Sequence, residues 1–240
     1  MPRLEAHQPR DPRELPSYGI SETARSLALP ASTVRVWATG LPYRTRGGDT
    51  RWMKPLFTPA VAKPPALSFW NVVEVYVLAS MRRHHEISMP RVRRALGYVS
   101  RALGVTRPLL QQQFLTGGLD LFVDHYLVER EKALINVSST GQAALRHVLK
   151  GSLRRIDRDS EGLARRIYPW LREPAEPKLV ELNPARAFGR LVIADTSVPT
   201  ESLAERFRAG DSVDLLAEDY HLDRAQVEAA LRWEQCALAA

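Results

Sequence analysis

The chain has 240 residues, 45% hydrophobic and 25% charged, with 13 Gly and 17 Pro, a globular composition that excludes a disordered or collagen-like chain. Its single cysteine, Cys236, excludes an internal disulfide framework and a Cys-based zinc site. The net charge of +7 is unevenly spread: residues 1–60 hold 9 basic and 5 acidic groups, residues 61–175 hold 18 and 10, and residues 176–240 hold 7 and 12. A basic body with an acidic tail implies two different partners.

Residues 1–16 mix Pro and Arg without periodicity and read as a loose arm with no signal peptide. The segment 20–38, ISETARSLALPASTVRVWA, has the layout of a helix-turn-helix. Ala24 is small where two helices cross, Leu27 and Leu29 flank the turn, and Val34 and Trp37 form the inner face of the second helix. Ala28 stands at the turn position where Gly is commonest. The outer face then carries Ser32, Thr33 and Arg35, suited to a major groove. Tyr43 to Trp52 follows as a Gly47-Gly48 turn between basic, aromatic-bearing arms, with Arg44, Arg46 and Arg51 along a ribbon that can touch phosphates.

A Pro-rich stretch, 55–65, precedes a helix at 69–83 that is apolar nearly all round and belongs in a core or a dimer interface. Its apolar run is interrupted by Asn71 and Glu74 and is too short to span a bilayer, which points to a cytoplasmic protein without a membrane partner. Residues 89–103 form a helix with Val92, Leu96, Val99 and Leu103 on one face and an arginine cluster that reads as its solvated side. The period then changes. Residues 119–126 and 133–137 read as a strand hairpin with Leu121, Val123 and His125 on one side. Helix 142–157 follows, then short strands at 165–171 and 178–182 around a linker at 174–177.

The last part reads as a strand, 191–194, and helices 201–209, 213–219 and 224–238, with Thr200 before the first, Gly210 after it, and Asp223 with Gln226 as a capping-box start for the third. Within it the helix-turn-helix pattern recurs: Val213, Ala217, Leu222 and Val227 match Ile20, Ala24, Leu29 and Val34 at one constant offset. The outer face of this second copy mixes Glu228 and Glu234 with Arg224 and Arg232, and acids are repelled by phosphates. The first copy therefore suits DNA and the second a protein.

Little here suggests catalysis. Neighbouring His84 and His85 point about 100° apart on a helix and cannot share an ion, so His84-His85-Glu86 reads as a polar helix end. Asp120 and Asp124 share a face without a third acidic partner, and no phosphate-binding Gly loop occurs. The expectation is a non-enzyme with no metal and no cofactor.

Residues 18–100 resemble the winged helix-turn-helix of MerR-type regulators, on the strength of the 20–38 pattern and the Gly-Gly-basic-aromatic wing. The run FGRLVIADTSVPT at 188–200, then Ala209-Gly210 and Ala217-Glu218-Asp219-Tyr220, resembles a small domain typical of VapB-type antitoxins. The usual pattern there is G-x-P-V-I-x-G-T-R-I-P. Leu191 replaces its first Pro, and Asp195-Thr196-Ser197 replaces Gly-Thr-Arg.

These readings together give an α+β, mostly α, protein: an arm (1–16), a MerR-like winged helix-turn-helix (17–104), a small middle α/β module (105–175) and a C-terminal helix-turn-helix domain (176–240). The resemblance implies an antitoxin that binds a PIN-like ribonuclease toxin and its own double-stranded promoter DNA, and a homodimer is expected because one recognition helix rarely supplies enough affinity. Thr33 and Arg35 are then expected on base edges, and Ser32, Arg44, Arg46 and Arg51 on phosphates. Tyr220, Arg224, Glu228, Arg232 and Trp233 are expected toward the toxin. Two rival readings are a MerR-like ligand-responsive regulator, whose middle module binds a small molecule, and a protein-interaction scaffold that binds no DNA.

Overall fold

The computed structural model describes residues 11–45, 47–83, 89–112, 114–131 and 139–239. Arg46, the His84-His85-Glu86 run and the expected strand at 133–137 lie outside the described residues. The fold is α+β and mostly α, with nine α-helices and three small antiparallel sheets among the described residues.

The N-terminal unit opens with β1 (Tyr18–Gly19), α1 (Ile20–Ser26) and α2 (Ala31–Thr39), followed by the wing strands β2 (Leu41–Arg44) and β3 (Thr50–Met53). Strands β4 (Val61–Ala62) and β5 (Pro65–Leu67) join β1 in a sheet of order β1-β5-β4 that holds the start of α1 against the body. Helix α3 (Phe69–Arg83) is the central pillar. Val72, Val73, Val75, Val77 and Leu78 are all buried, so its all-round apolar surface serves the core of the monomer. It packs against α6 (Ser139–Leu153), and the Tyr76 hydroxyl donates to the Ser152 carbonyl at 3.0 Å. Helix α4 (Met89–Leu103) buries Val92, Ala95 and Val99.

The segment 119–126 is not a strand. It begins α5 (Leu119–Glu131), which lies between α4 and α6. Leu119, Phe122, Val123 and Tyr126 are spaced i, i+3, i+4, i+7 and all are buried, whereas Leu121 and His125 are only partly so. The alternation at 121, 123 and 125 mimics a strand, but the helical stripe contains the bulkier groups and determines the conformation. Asp120 and Asp124 point outward, and both accept from the Arg146 guanidinium on α6. Their role is an interhelical tie.

Four strands, β6 (Ile156–Arg158), β7 (Ala164–Ile167), β8 (Val180–Leu182) and β9 (Leu191–Ile193), form one antiparallel sheet in chain order. The pairing Ile167↔Leu182 joins the middle of the chain to its last quarter. The proline-rich loop between β7 and β8 is gathered by buried Arg155, which donates to the carbonyls of Tyr168, Pro169, Pro174, Glu176 and Pro177. Buried Glu181 on β8 accepts from Arg166 at 3.0 Å, and Arg166 also reaches Asp157 and Asp195 at 2.7 Å each.

Helices α7 (Thr200–Arg208), α8 (Val213–Tyr220) and α9 (Arg224–Ala239) complete the fold. Thr200 lies inside α7 and does not cap it: its hydroxyl donates to Glu234 Oε1 at 2.6 Å, and Pro199 stands at the N-cap. Ser212 caps α8 through Leu215 N–H, and Gln226 Oε1 accepts from Asp223 N–H at the start of α9.

Candidate nucleic-acid and partner interfaces

The two helix-turn-helix units share one backbone design. In the first, Leu29 N–H donates to Ala24 O at 2.9 Å across the turn; in the second, Leu222 N–H donates to Ala217 O at 2.9 Å. Ala28 and His221 occupy the matching turn position, each in the left-handed region. The second helix of each unit then begins with the same pair of bonds, Thr33 and Val34 to Pro30 O, and Gln226 and Val227 to Asp223 O. The sequence repeat is therefore a structural repeat.

The N-terminal copy presents its second helix to solvent as its periodicity expects. Val34, Trp37 and Ala38 are buried, while Ser32 and Arg35 are exposed and Thr33 is half-buried. The Thr33 hydroxyl accepts from Arg82 Nη1 at 3.3 Å. Arg82 was not among the expected site residues. It ends the buried pillar α3, and only the tertiary packing brings it to the first turn of α2. The sequence signal available was an Arg-Arg pair closing an otherwise apolar helix.

The wing stands beside this helix. Gly40 leaves α2 at φ 79°, and a Cβ there would lie 2.3 Å from the Met53 carbonyl, so the close return of β3 requires glycine. Strands β2 and β3 pair Tyr43 with Arg51 and Arg44 with Thr50. Directly opposed residues share a face, which places Arg51 with Tyr43 on one side of the ribbon and Arg44 with Trp52 on the other. Arg44 and Arg51 are exposed, and neither has a carboxylate partner among the described residues. Trp52 is 60% exposed. A two-faced cationic ribbon with a free indole next to a polar helix can contact phosphates on both walls of a groove.

The C-terminal copy differs in charge. Arg224 of α9 is held by Asp214 at 2.5 Å and Glu228 at 2.9 Å, so its cation is neutralised on the surface. Arg206 of α7 binds Asp211 and Asp219 and lies over the Tyr220 ring at 5.5 Å. Tyr220 is thus half-buried beneath a salt-bridged arginine, and Arg232 is exposed. Trp233 is 3% exposed, packed inward with Val227, Ala230 and Leu231. It belongs to the core of this unit and offers no surface to a partner, because the inner stripe of α9 continues past the one matched position it holds, Val227, through Ala230, Leu231 and Trp233.

Glu234 is also withdrawn from the outer face. Its Oε2 accepts from Arg25 Nε at 3.0 Å and Nη2 at 2.7 Å, while Arg25 Nη1 reaches Glu201 at 2.6 Å. Burial opposes the charge on Arg25, yet the two carboxylates prevail and hold its pKa above the usual value. The first helix of the N-terminal copy is thereby tied to the second helix of the C-terminal copy. Among the described residues no group of three or more His, Cys, Asp or Glu could hold a metal ion, and no helix is long and apolar enough to cross a membrane.

Comparison with known proteins finds two family models. One, described as "Putative DNA-binding HTH domain", matches residues 16–96, and the other, "Protein of unknown function (DUF433)", matches residues 180–233. Along most of its length the chain is 26% identical to "Putative antitoxin VapB45" of Mycobacterium tuberculosis, covering 91% of this chain and 93% of that protein. It is also 26% identical to "Uncharacterized protein Rv2308" of the same organism, covering 89% and 88%. The crystal structure of Rv2018 from M. tuberculosis shares the fold, with a TM-score of 0.62 at 23% identity over 90% of this chain and 98% of that one. The chain thus resembles a VapB-type antitoxin and carries a helix-turn-helix unit of the DNA-binding type.

Proposed function

We propose that this chain is the antitoxin of a type II toxin–antitoxin pair, a non-enzymatic protein that silences a PIN-like ribonuclease by direct binding and represses its own operon. The N-terminal unit reads the promoter as a homodimer, since one recognition helix rarely supplies enough affinity and a palindromic site mirrors a two-fold axis. Thr33 and Arg35 face base edges, and Ser32, Arg44, Arg46 and Arg51 hold phosphates, joined by Arg82. The C-terminal surface around Arg224, Glu228, Arg232 and the rim of Tyr220 takes the toxin.

The observation that carries this reading is the contrast between two copies of one backbone motif. Among the described residues the first exposes Arg35, Arg44 and Arg51 without a carboxylate partner, whereas the second sets Arg224 between Asp214 and Glu228 and leaves Arg232 exposed. Counterion release rewards the first arrangement on DNA, whereas the second suits a partner with mixed charge. The similarity to a protein named as an antitoxin supports the assignment of that partner as a toxin. Co-expression with the adjacent reading frame tests it. The neighbour alone arrests growth and this chain restores it; a neighbour that this chain fails to neutralise contradicts the proposal.

A further inference from the structure

Between the base of the wing, α3 and α4 lies a half-open cavity of about 630 Å³, a volume typical of small-molecule sites. Leu56, Phe57, Leu78, Leu96 and Leu109 give it apolar walls. Most of its polar groups are already matched. Glu74 is gripped by Arg107 through two bonds of 3.1 and 2.6 Å, and Asn71 bonds Glu74, Ser68, Ala60 N–H and the Thr58 carbonyl. The other acid at the cavity, Glu14, is exposed at its rim.

Arg93 is the exception. Its guanidinium lines the cavity, donates to the carbonyls of Pro55 and Lys54, and has no carboxylate partner among the described residues. Burial without a counter-ion pushes its pKa down. Two carbonyls occupy Nε and one Nη2 donor, which leaves the second Nη2 donor and both Nη1 donors, the end-on fork of the planar group, for another acceptor. A fork of this kind matches a carboxylate.

We propose that this cavity binds a small monocarboxylate with an apolar body, its carboxylate on Arg93 and its body among the leucines and Phe57. Occupancy also reaches the wing. The carbonyls that Arg93 holds belong to the two residues after β3, and cavity-lining Leu56 donates its N–H to Trp37 O of α2 at 2.8 Å. A ligand that draws Arg93 toward itself loosens the root of the wing and weakens promoter binding. Only this coupling rests on the DNA reading; the binding itself does not.

Calorimetric titration of the full chain with benzoate, octanoate and indole-3-acetate, with benzamide as the neutral control, tests the site without DNA. At least one carboxylate is expected to saturate with Kd below about 1 mM, and benzamide to bind about tenfold more weakly. Arg93→Gln should weaken the carboxylate about tenfold, and Gly97→Phe, which fills the cavity from α4, should abolish binding with the helical circular dichroism unchanged. Failure of all three carboxylates, equal binding of benzamide, or indifference to both substitutions would overturn the site. A promoter affinity unchanged by saturating carboxylate would overturn the coupling.

Discussion

Ala28 and His221, 193 positions apart, hold the same left-handed backbone, φ 48° and 54°, at the same place in two copies of one helix-turn-helix. A Cβ in this region costs about 1–2 kcal/mol, and glycine gives back part of that gain through its freer unfolded chain. Ala28→Gly and His221→Gly are each expected to stabilise the protein by about 0.5–1 kcal/mol. Urea denaturation measures this as a raised midpoint at constant slope.

The tie between Arg25 and Glu234 joins the two copies across the molecule. Glu234 is 5% exposed and serves Thr200 as well, so its removal takes the acceptor from Arg25 Nε and Nη2 and from the Thr200 hydroxyl. Because Arg25 is itself partly solvated, Glu234→Ala is expected to cost about 2–3 kcal/mol, below the loss for a fully buried pair. Arg25→Met combined with Glu234→Leu should recover part of the loss. Equal melting temperatures for Glu234→Ala and wild type would show that the contact contributes nothing.

Alkaline pH should find a different weak point. Burial, reinforced by the charge of Glu22, raises the pKa of Tyr18, and burial beside Asp157 raises that of Tyr168 to about 12. A raised folded pKa stabilises below the unfolded value near 10, and the contribution is lost as pH rises through the folded one. Stability should therefore fall above about pH 10. The Tyr18 hydroxyl has no hydrogen-bond partner among the described residues, so Tyr18→Phe should leave stability at pH 7 unchanged or improved and reduce the alkaline loss. Thermal melts from pH 8 to 11 report both effects.

Arg155 gathers five carbonyls of the loop that links β7 to β8. Truncation takes the donor from two buried and three partly buried carbonyls, and Arg155→Ala is expected to cost about 3 kcal/mol. Hydrogen exchange should show the loss in β6 to β9 before it reaches α1 and α2. A uniform loss would mean that the sheet does not open separately.

Much of this organisation is legible in the residues. Helices α3 and α4 have the expected bounds because their apolar stripes are long and flanked by prolines, and the repeat at constant offset marks the second helix-turn-helix. The buried Val34 and Trp37 and the exposed Ser32 and Arg35 also follow directly from helical periodicity. Segment 119–126 misleads because alternating Leu121, Val123 and His125 overlie a helical stripe, which only the packing against α4 and α6 distinguishes. Trp233, Glu234 and Arg82 depend on tertiary neighbours far away in sequence. Glu234 is set by the contact between the two copies and Arg82 by the end of α3 meeting α2, and no local pattern encodes either.

In the proposed function the N-terminal unit grips promoter DNA through its helix and wing. Fluorescence anisotropy of the full chain on its own promoter, across a salt series, measures that grip. Arg35→Ala should lose about 1–3 kcal/mol and relax sequence preference, whereas Arg44→Ala and Arg51→Ala should weaken all sequences alike, each lowering the salt slope by about 1. Promoter binding that is absent in wild type, or salt-sensitive but indifferent to all three substitutions, would contradict it.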